Sequence, residues 1–266
     1  IGNNVYTLEL GLMDISEEEV VNELVPIVES YLNETLEIVS LKDSMHHLGY
    51  TSLVLKHQQN YSLQYGFQQY ALEPLNCGDS FSAFHQDNLH YLALSDGMGQ
   101  GKMAANESKL TLEVLSKLIL NGIGLKDTID SINALLKIKN RNDMFTTLDL
   151  CNINLANARM KLIKYGANPS YHIRSGMVEK IATNSLPVGV VSKLKMVSYE
   201  MPLKNNDLII MSSDGTGNDF EQIVNDNVHL YCDQHPQEIA TFLMDQVLEK
   251  NNLDDISIIV IKVVNN

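Results

Sequence analysis

Gly78-Asp79-Ser80-Phe81-Ser82-Ala83-Phe84-His85-Gln86-Asp87-Asn88-Leu89-His90-Tyr91-Leu92-Ala93-Leu94-Ser95-Asp96-Gly97-Met98-Gly99 reads as a β-hairpin with an aspartate at each open end. Phe81 to His85 and Leu89 to Leu94 have strand texture, and Asp87-Asn88 between them is turn chemistry. Antiparallel strands joined by a tight turn run back on themselves, so Asp79 and Asp96 are predicted to lie side by side.

Two further acidic runs occupy comparable places. Ser213-Asp214-Gly215 follows the apolar run Leu208 to Met211, as Asp96-Gly97 follows Tyr91 to Leu94. Asp254-Asp255 stands just before the strongly apolar Ile256 to Ile261. A strand that ends in Ser-Asp-Gly presents its carboxylate at the rim of a sheet, and a glycine there is expected to leave room for a cation and water. Any one Asp-Gly pair is most simply a turn. Carboxylates at several strand ends, without histidine or cysteine partners, suit Mg²⁺ or Mn²⁺ better than zinc. There is no EF-hand loop. Gly97-Met98-Gly99-Gln100-Gly101-Lys102 is no phosphate-cradling P-loop, because Met103 stands where Ser or Thr belongs.

The chain has 266 residues, 44% apolar, with 19 basic against 33 acidic side chains and a net charge of −14. That charge disfavours general attraction to nucleic acid or anionic membranes. It argues against a two-metal nuclease, which would use similar carboxylates. Cys77, Cys151 and Cys232 form no paired pattern, so a reduced, cytoplasmic setting is expected for this segment, with the thiols as small packing residues. His46 and His47 read as surface or packing residues. No apolar run is long enough to span a membrane and no signal peptide is visible. The chain begins at Ile1, which leaves room for a membrane anchor in a longer protein.

The remaining elements follow from periodicity. Leu8, Leu10 and Leu12 alternate as in a strand. Ser16 and Glu19 have capping-box spacing, and Val20, Val21, Leu24, Ile27, Val28 and Tyr31 share one helical face that Pro26 should kink. Strands are predicted at Leu36 to Leu41, Thr51 to Leu55, Tyr61 to Tyr70, Phe145 to Ile153, Arg159 to Tyr165, Tyr171 to Arg174, Met196 to Met201, Leu208 to Ser212 and Ile256 to Val264. Helical stripes run through Leu110 to Ile119 and through Ile129 to Leu136, the second capped by Asp127. Another starts at Pro236 and carries Ile239, Leu243 and Val247. Groups of antiparallel strands alternating with helices make this an α+β chain.

As an ordered set, Gly78-Asp79-Ser80, Ser95-Asp96-Gly97-Met98-Gly99, Ser213-Asp214-Gly215 and Asp254-Asp255-Ile256-Ser257 resemble the type 2C metal-dependent protein serine/threonine phosphatases. Gly99-Gln100-Gly101, Asn106-Glu107-Ser108, Thr146-Thr147-Leu148-Asp149, Gly166-Ala167-Asn168-Pro169-Ser170 and Leu186-Pro187-Val188-Gly189 are similar to its stage II sporulation branch. The resemblance covers roughly residues 61–266 and implies two packed antiparallel β-sheets flanked by helices, an α-β-β-α sandwich. Residues 1–60 are expected to be a separate β-α-β-β flank with a regulatory role.

The resemblance also implies a centre of two Mn²⁺ or Mg²⁺ ions. In it Asp96 bridges the metals, Asp214 and Asp254 complete one site, Asp79 and the Gly97 carbonyl serve the other, and Asp255 orients ligands or joins a weak third site. Asp96 and Asp214 are then catalytic through a metal-activated water. The implied substrate is a phosphorylated anti-sigma factor antagonist, with sigma-factor activation in sporulation as the output. No nucleic acid or membrane contact is expected of this segment, and a homodimer is among its expected partners. The alternative is a catalytically weak phosphatase-like binding or scaffolding module. Met98 stands where many relatives carry a histidine, so the leaving group takes its proton from water. None of Arg141, Arg159 and Arg174 matches a phosphate clamp. The helices from Lys102 to Lys137 directly follow Asp96 and are expected to couple partner binding to the metal site.

Overall fold

The structure is a computed structural model that describes residues 8–13, 16–32, 35–44, 50–73, 76–99, 101–139, 145–231, 234–250 and 254–266. His46, His47, Gln100, Arg141 and Cys232 lie outside the described residues. The chain forms two compact units, Ile1–Asn60 and Tyr61–Asn266.

In the first unit, β1 (Leu8–Met13), β3 (Tyr50–His57) and β2 (Leu36–Ser44) form an antiparallel sheet in that order. The Ser16–Glu19 capping box is present and opens α1 (Glu17–Glu19). A π-helical turn, Val20–Leu24, then leads into α2 (Val25–Leu32). The turn adds one residue ahead of Pro26 and rotates the apolar face. Val20, Leu24, Val25, Val28 and Leu32 join Leu36, Leu53 and Leu55 in the core, while Val21, Ile27 and Tyr31 are exposed within this unit. The single face predicted from helical spacing is therefore corrected by one step.

The second unit is a sandwich. One sheet has the order β10-β9-β12-β13-β4, built from β10 (Met177–Ile181), β9 (Ser170–Arg174), β12 (Leu208–Ser212), β13 (Ile256–Asn265) and β4 (Tyr61–Tyr70). The other has the order β11-β8-β7-β6-β5, built from β11 (Ser198–Pro202), β8 (Arg159–Tyr165), β7 (Leu148–Asn154), β6 (Leu89–Asp96) and β5 (Asp79–Gln86). All pairings are antiparallel. Between the sheets, Leu92, Leu94, Cys151 and Leu162 meet Ile209, Met211, Ile259 and Ile261.

Helices cover both outer faces. α3 (Lys102–Leu120) and α4 (Leu125–Lys139) set Leu112, Leu115, Ile119, Ile129, Ile132 and Leu136 against Tyr91, Ala93, Leu150 and Ile163. α5 (Phe220–Asp226) and α6 (Pro236–Leu248) set Phe220, Ile239, Leu243 and Val247 against Ile210, Ile258 and Val260. A strand covered on both faces loses its polar alternation, which is why β12 and β13 read as nearly continuous apolar runs, Leu208 to Met211 and Ile258 to Ile261.

Two helix starts have distinct physical causes. α4 begins at Leu125, two residues before the predicted cap, so Asp127 lies in its first turn, where its charge complements the helix dipole. α6 begins at Pro236 against β4: a Cβ on Gly66 would lie 2.3 Å from the Gln237 nitrogen. The Gln237 side chain accepts from the Phe67 amide and donates to the Phe67 carbonyl, both at 3.0 Å. It thereby satisfies part of an edge strand that has no further neighbour in its sheet.

Candidate metal centre

The hairpin register places Asp79 opposite Asp96. Beyond Asp96 the ladder continues one step at a time. The Gly97 amide donates to the Gly78 carbonyl at 3.1 Å, and Gly97 bridges Thr146, which bridges Val188. Thr147 Oγ1 accepts from the Asp96 amide at 2.8 Å, and Thr146 Oγ1 donates to the Asp96 carbonyl at 2.7 Å. The Asp96 backbone is thus held on both sides, and its carboxylate is left for other work.

Asp214 arrives from the opposite sheet. Ser213 and Ser257 join the ends of β12 and β13: the Ser213 amide donates to the Ser257 carbonyl at 3.0 Å, and Ser213 Oγ accepts from the Ser257 amide at 2.8 Å. Asp214 then opens a 3-10 turn, Asp214–Thr216. Asp96 and Asp214 line one cavity of about 280 Å³, together with Thr147, Asp149, Asn168 and Ser213. The two carboxyl groups come close enough for each to perturb the other.

The electrostatics are those of acids crowded together. Burial pushes the Asp96 carboxyl up to about 8, aided by the charges of Asp79, Asp214 and Asp254. Burial also pushes Asp79 up to about 7, against the pull of the Ser213 and Ser257 hydroxyls, with Asp255 and Asp214 adding to the rise. Asp214 is raised too, by burial and then by Asp254. Asp79 Oδ2 is buried with no hydrogen-bond partner among the described residues. Cys77, half-buried nearby, is pushed up to about 12, chiefly by burial, and stays a thiol.

The six predicted site residues do not all stand alike. Asp96 and Asp214 meet in the cavity, while Asp79 lines a different hollow with Phe67, Gln69 and Lys109. Asp254 is exposed and its charge reaches Asp96 and Asp214. Asp255 is taken up by the backbone: its oxygens accept from the Leu72 amide at 2.7 Å and the Gly78 amide at 2.6 Å. Among the described residues, no three His, Cys, Asp or Glu side chains are gathered closely enough to hold one ion as they stand.

The glycines after Asp96 and Asp214 have a different cause from the one expected. A Cβ on Gly97 would lie 2.1 Å from the Ala104 carbonyl oxygen of α3, and one on Gly215 would lie 2.0 Å from the Asp255 carbonyl oxygen. Both glycines admit a neighbouring backbone that a Cβ would strike. The sequence alone assigns no individual role to Thr146, Thr147, Asp149 or Asn168. Their polar side chains around a strand end were the available signal. Arg174 is committed elsewhere, to Asp207 and the Pro202 carbonyl.

Comparison with known proteins fits this arrangement. A family model described as stage II sporulation protein E (SpoIIE) matches residues 86–264. The chain belongs to the SpoIIE family. It is 30% identical to stage II sporulation protein E of Bacillus subtilis (strain 168) over 98% of its own length and 34% of that protein's, so it spans about a third of that relative. The structure of the PP2C phosphatase domain with a fragment of the regulatory domain of SpoIIE from Bacillus subtilis is similar over 99% of this chain and 81% of that one, with a TM-score of 0.84 and 28% identity. The catalytic domain of the serine/threonine protein phosphatase PstP, solved with two manganese ions, shares the fold over 77% of this chain and 100% of that one, with a TM-score of 0.63 and 20% identity. The sandwich of residues 61–266 is thus the type 2C phosphatase fold of the SpoIIE family, and no described helix is long and apolar enough to cross a membrane.

Proposed function

We propose that this chain is a metal-dependent protein-serine phosphatase that uses two Mn²⁺ or Mg²⁺ ions. Its proposed substrate is a phosphorylated anti-sigma factor antagonist, and its output sigma-factor activation in sporulation. The observation that carries the reading is that Asp96 and Asp214, brought by strands of opposite sheets, line one cavity, where burial and neighbouring carboxylates raise both. The donor set fits a hard divalent cation: it is all oxygen, and the buried Asp79 Oδ2 has no hydrogen-bond partner among the described residues.

In this reading Asp96 would contribute to holding both ions, with Asp214 and Asp254 on one side and Asp79 and the Gly97 carbonyl on the other. Asp255 keeps the Gly78 amide, and through it the Gly97 strand end, in place. Bound there, two divalent ions supply a water of lowered pKa as nucleophile and neutralise the phosphoryl oxygens. Thr146 and Thr147 keep Asp96 from turning away. Met98 carries no proton to give, so the departing serine oxygen is protonated from solvent. Residues 1–60 are assigned a regulatory role in the same proposal, and homodimer formation belongs to it.

The test is phosphate release from a phosphoserine protein with Mn²⁺, with chelator and with Asp214→Asn. Turnover that needs Mn²⁺ and falls by at least a hundredfold in the variant is expected; turnover that survives both treatments sinks the proposal. The absence of three gathered carboxylates among the described residues favours one second reading, a phosphatase-like binding module. It predicts Mn²⁺ uptake without turnover on any phosphoprotein.

A further inference from the structure

The cavity that Asp96 and Asp214 share has one wall that the proposed chemistry does not use. Asp149 of β7 stands opposite Lys164 of β8, and their side chains form an ion pair at 2.5 Å, with 2% and 0% of their surfaces exposed. Taking both charges out of water costs several kcal/mol per ion, and a pair of apolar side chains is often at least as stable in such a place. Stability alone therefore gives no reason for the pair.

Its other contacts give one. Lys164 Nζ also donates to the Asn168 carbonyl at 2.6 Å, and Ser170 Oγ donates to Asp149 Oδ2 at 3.3 Å. The loop between these residues is gripped from the far side as well. Gly166 has φ +63°, its amide donates to the Ser185 carbonyl at 3.1 Å, and a Cβ on it would lie 2.5 Å from Pro187 Cγ. Held this way, Asn168 extends its side-chain amide across to the other sheet. It donates to the Ser213 carbonyl at 2.9 Å, with Thr216 Oγ1 at 3.4 Å. Thr216 Oγ1 donates to the same Ser213 carbonyl at 2.9 Å. That carbonyl belongs to the peptide unit that carries Asp214.

We infer that Lys164 and Asp149 are positioning residues for the metal centre: the ion pair fixes the Asn168 loop, and Asn168 fixes the Ser213–Asp214 turn against Asp96. An ammonium does what an apolar side chain cannot, since it neutralises Asp149 and donates to a carbonyl at once. Lys164 does not line the cavity and its charge is cancelled by Asp149, so it is no phosphate ligand. The inference rests on the metal-centre reading, because its output is the placement of Asp214.

The experiment titrates Mn²⁺ into the whole chain by calorimetry, beside thermal melts and phosphoserine hydrolysis. Two variants are compared: Asn168→Ala, and the paired replacement Lys164→Met with Asp149→Leu, which leaves no buried charge unpaired. Each folded variant is expected to bind Mn²⁺ about 10–100-fold more weakly, as is typical when residues behind metal ligands are removed. Each should also lose kcat at low Mn²⁺ and regain it at high Mn²⁺ with an unchanged substrate KM. A merely structural role would shift the melt and leave Mn²⁺ affinity alone. Folded variants that bind Mn²⁺ like the wild type overturn the inference and leave the metal reading standing. Should the paired replacement not fold, Asn168→Ala decides. A wild-type chain that takes up no Mn²⁺ removes the metal reading and the inference with it.

Discussion

Moving the metal-free protein from pH 5 to pH 8 should weaken it, and Mn²⁺ should remove that weakness. Asp79 is raised from 3.8 to about 7 and Asp96 from 3.8 to about 8, in both cases first by burial. A carboxyl whose folded-state pKa lies above its unfolded value adds stability in full below the unfolded value. That stability is lost as pH rises through the folded one. The window here runs from about pH 4 to about pH 8. For Asp79 alone, a shift of about three units at roughly 1.4 kcal/mol each amounts to about 4 kcal/mol. Asp96 belongs to the same cluster, so the group is counted as holding one proton, and the part lost between pH 5 and pH 8 is about 2–3 kcal/mol. The assay is urea unfolding at pH 5, 6.5 and 8, in chelator and in Mn²⁺. In chelator the midpoint should fall with pH. Mn²⁺ at a hundred times its Kd should add about 2.7 kcal/mol at pH 8 and much less at pH 5, where protons compete for the same oxygens. Asp214→Asn should make the chelator series only slightly shallower, because burial raises Asp79 and Asp96 first and the Asp214 charge adds to it. A chelator series that is flat or rises from pH 5 to pH 8 refutes the reasoning, as does Mn²⁺ that stabilises equally at both ends.

Gly97→Ala puts a Cβ 2.1 Å from the Ala104 carbonyl oxygen, so the start of α3 must move; the expected loss is about 2–3 kcal/mol, or roughly 5–10 °C in Tm, with weaker Mn²⁺ binding, read by thermal melts and calorimetry. Asp207, with 2% of its surface exposed, is drawn down to about 2: burial acts to raise it, and bonds from His172, Arg174 and the Lys204 amide outweigh that. Asp207→Asn should cost about 2–4 kcal/mol at pH 7, and the gap should close as pH falls from about 4 through about 2, because the depressed pKa contributes stability only above that window; urea midpoints across pH 2 to 7 check this.

The parts of this molecule that could be read from its sequence are those in which one physical demand dominates. The hairpin around Asp87-Asn88 is local, and a turn with a left-handed Asp87 fixes its register, so the pairing of Asp79 with Asp96 follows from a few adjacent residues. β4, β8 and β12 keep their predicted limits because an apolar run bounded by turn residues leaves the backbone little choice. β10 carries no strand signal beyond the turn before it, since Met177 to Ile181 is mostly exposed and has no apolar periodicity. α5 carries none either: at seven residues it takes its stability from Phe220, Ile223 and Val224 packing in the core with α6 and β13 rather than from any helical signal of its own.

The candidate site divides in the same way. Its aspartates announce themselves through strand-end position, but what holds them is non-local. Asp255 binds the Gly78 amide from the far end of the chain, Thr146 and Thr147 secure Asp96, and Asn168 crosses from one sheet to the other to reach Ser213. No spacing rule joins these residues, because each contact depends on two sheets being stacked first. The glycines make the same point. Asp-Gly suggested space beside a metal, whereas Gly97 and Gly215 are needed because α3 and the Asp255 backbone come within van der Waals reach of them. The placement of the candidate metal-site residues is therefore tied to backbone packing. The Gly97 carbonyl cannot shift without the first turn of α3 shifting too, and Asp214 cannot shift without the Asn168 loop. A partner that moves either element would change the spacing of Asp96 and Asp214 while touching neither carboxylate.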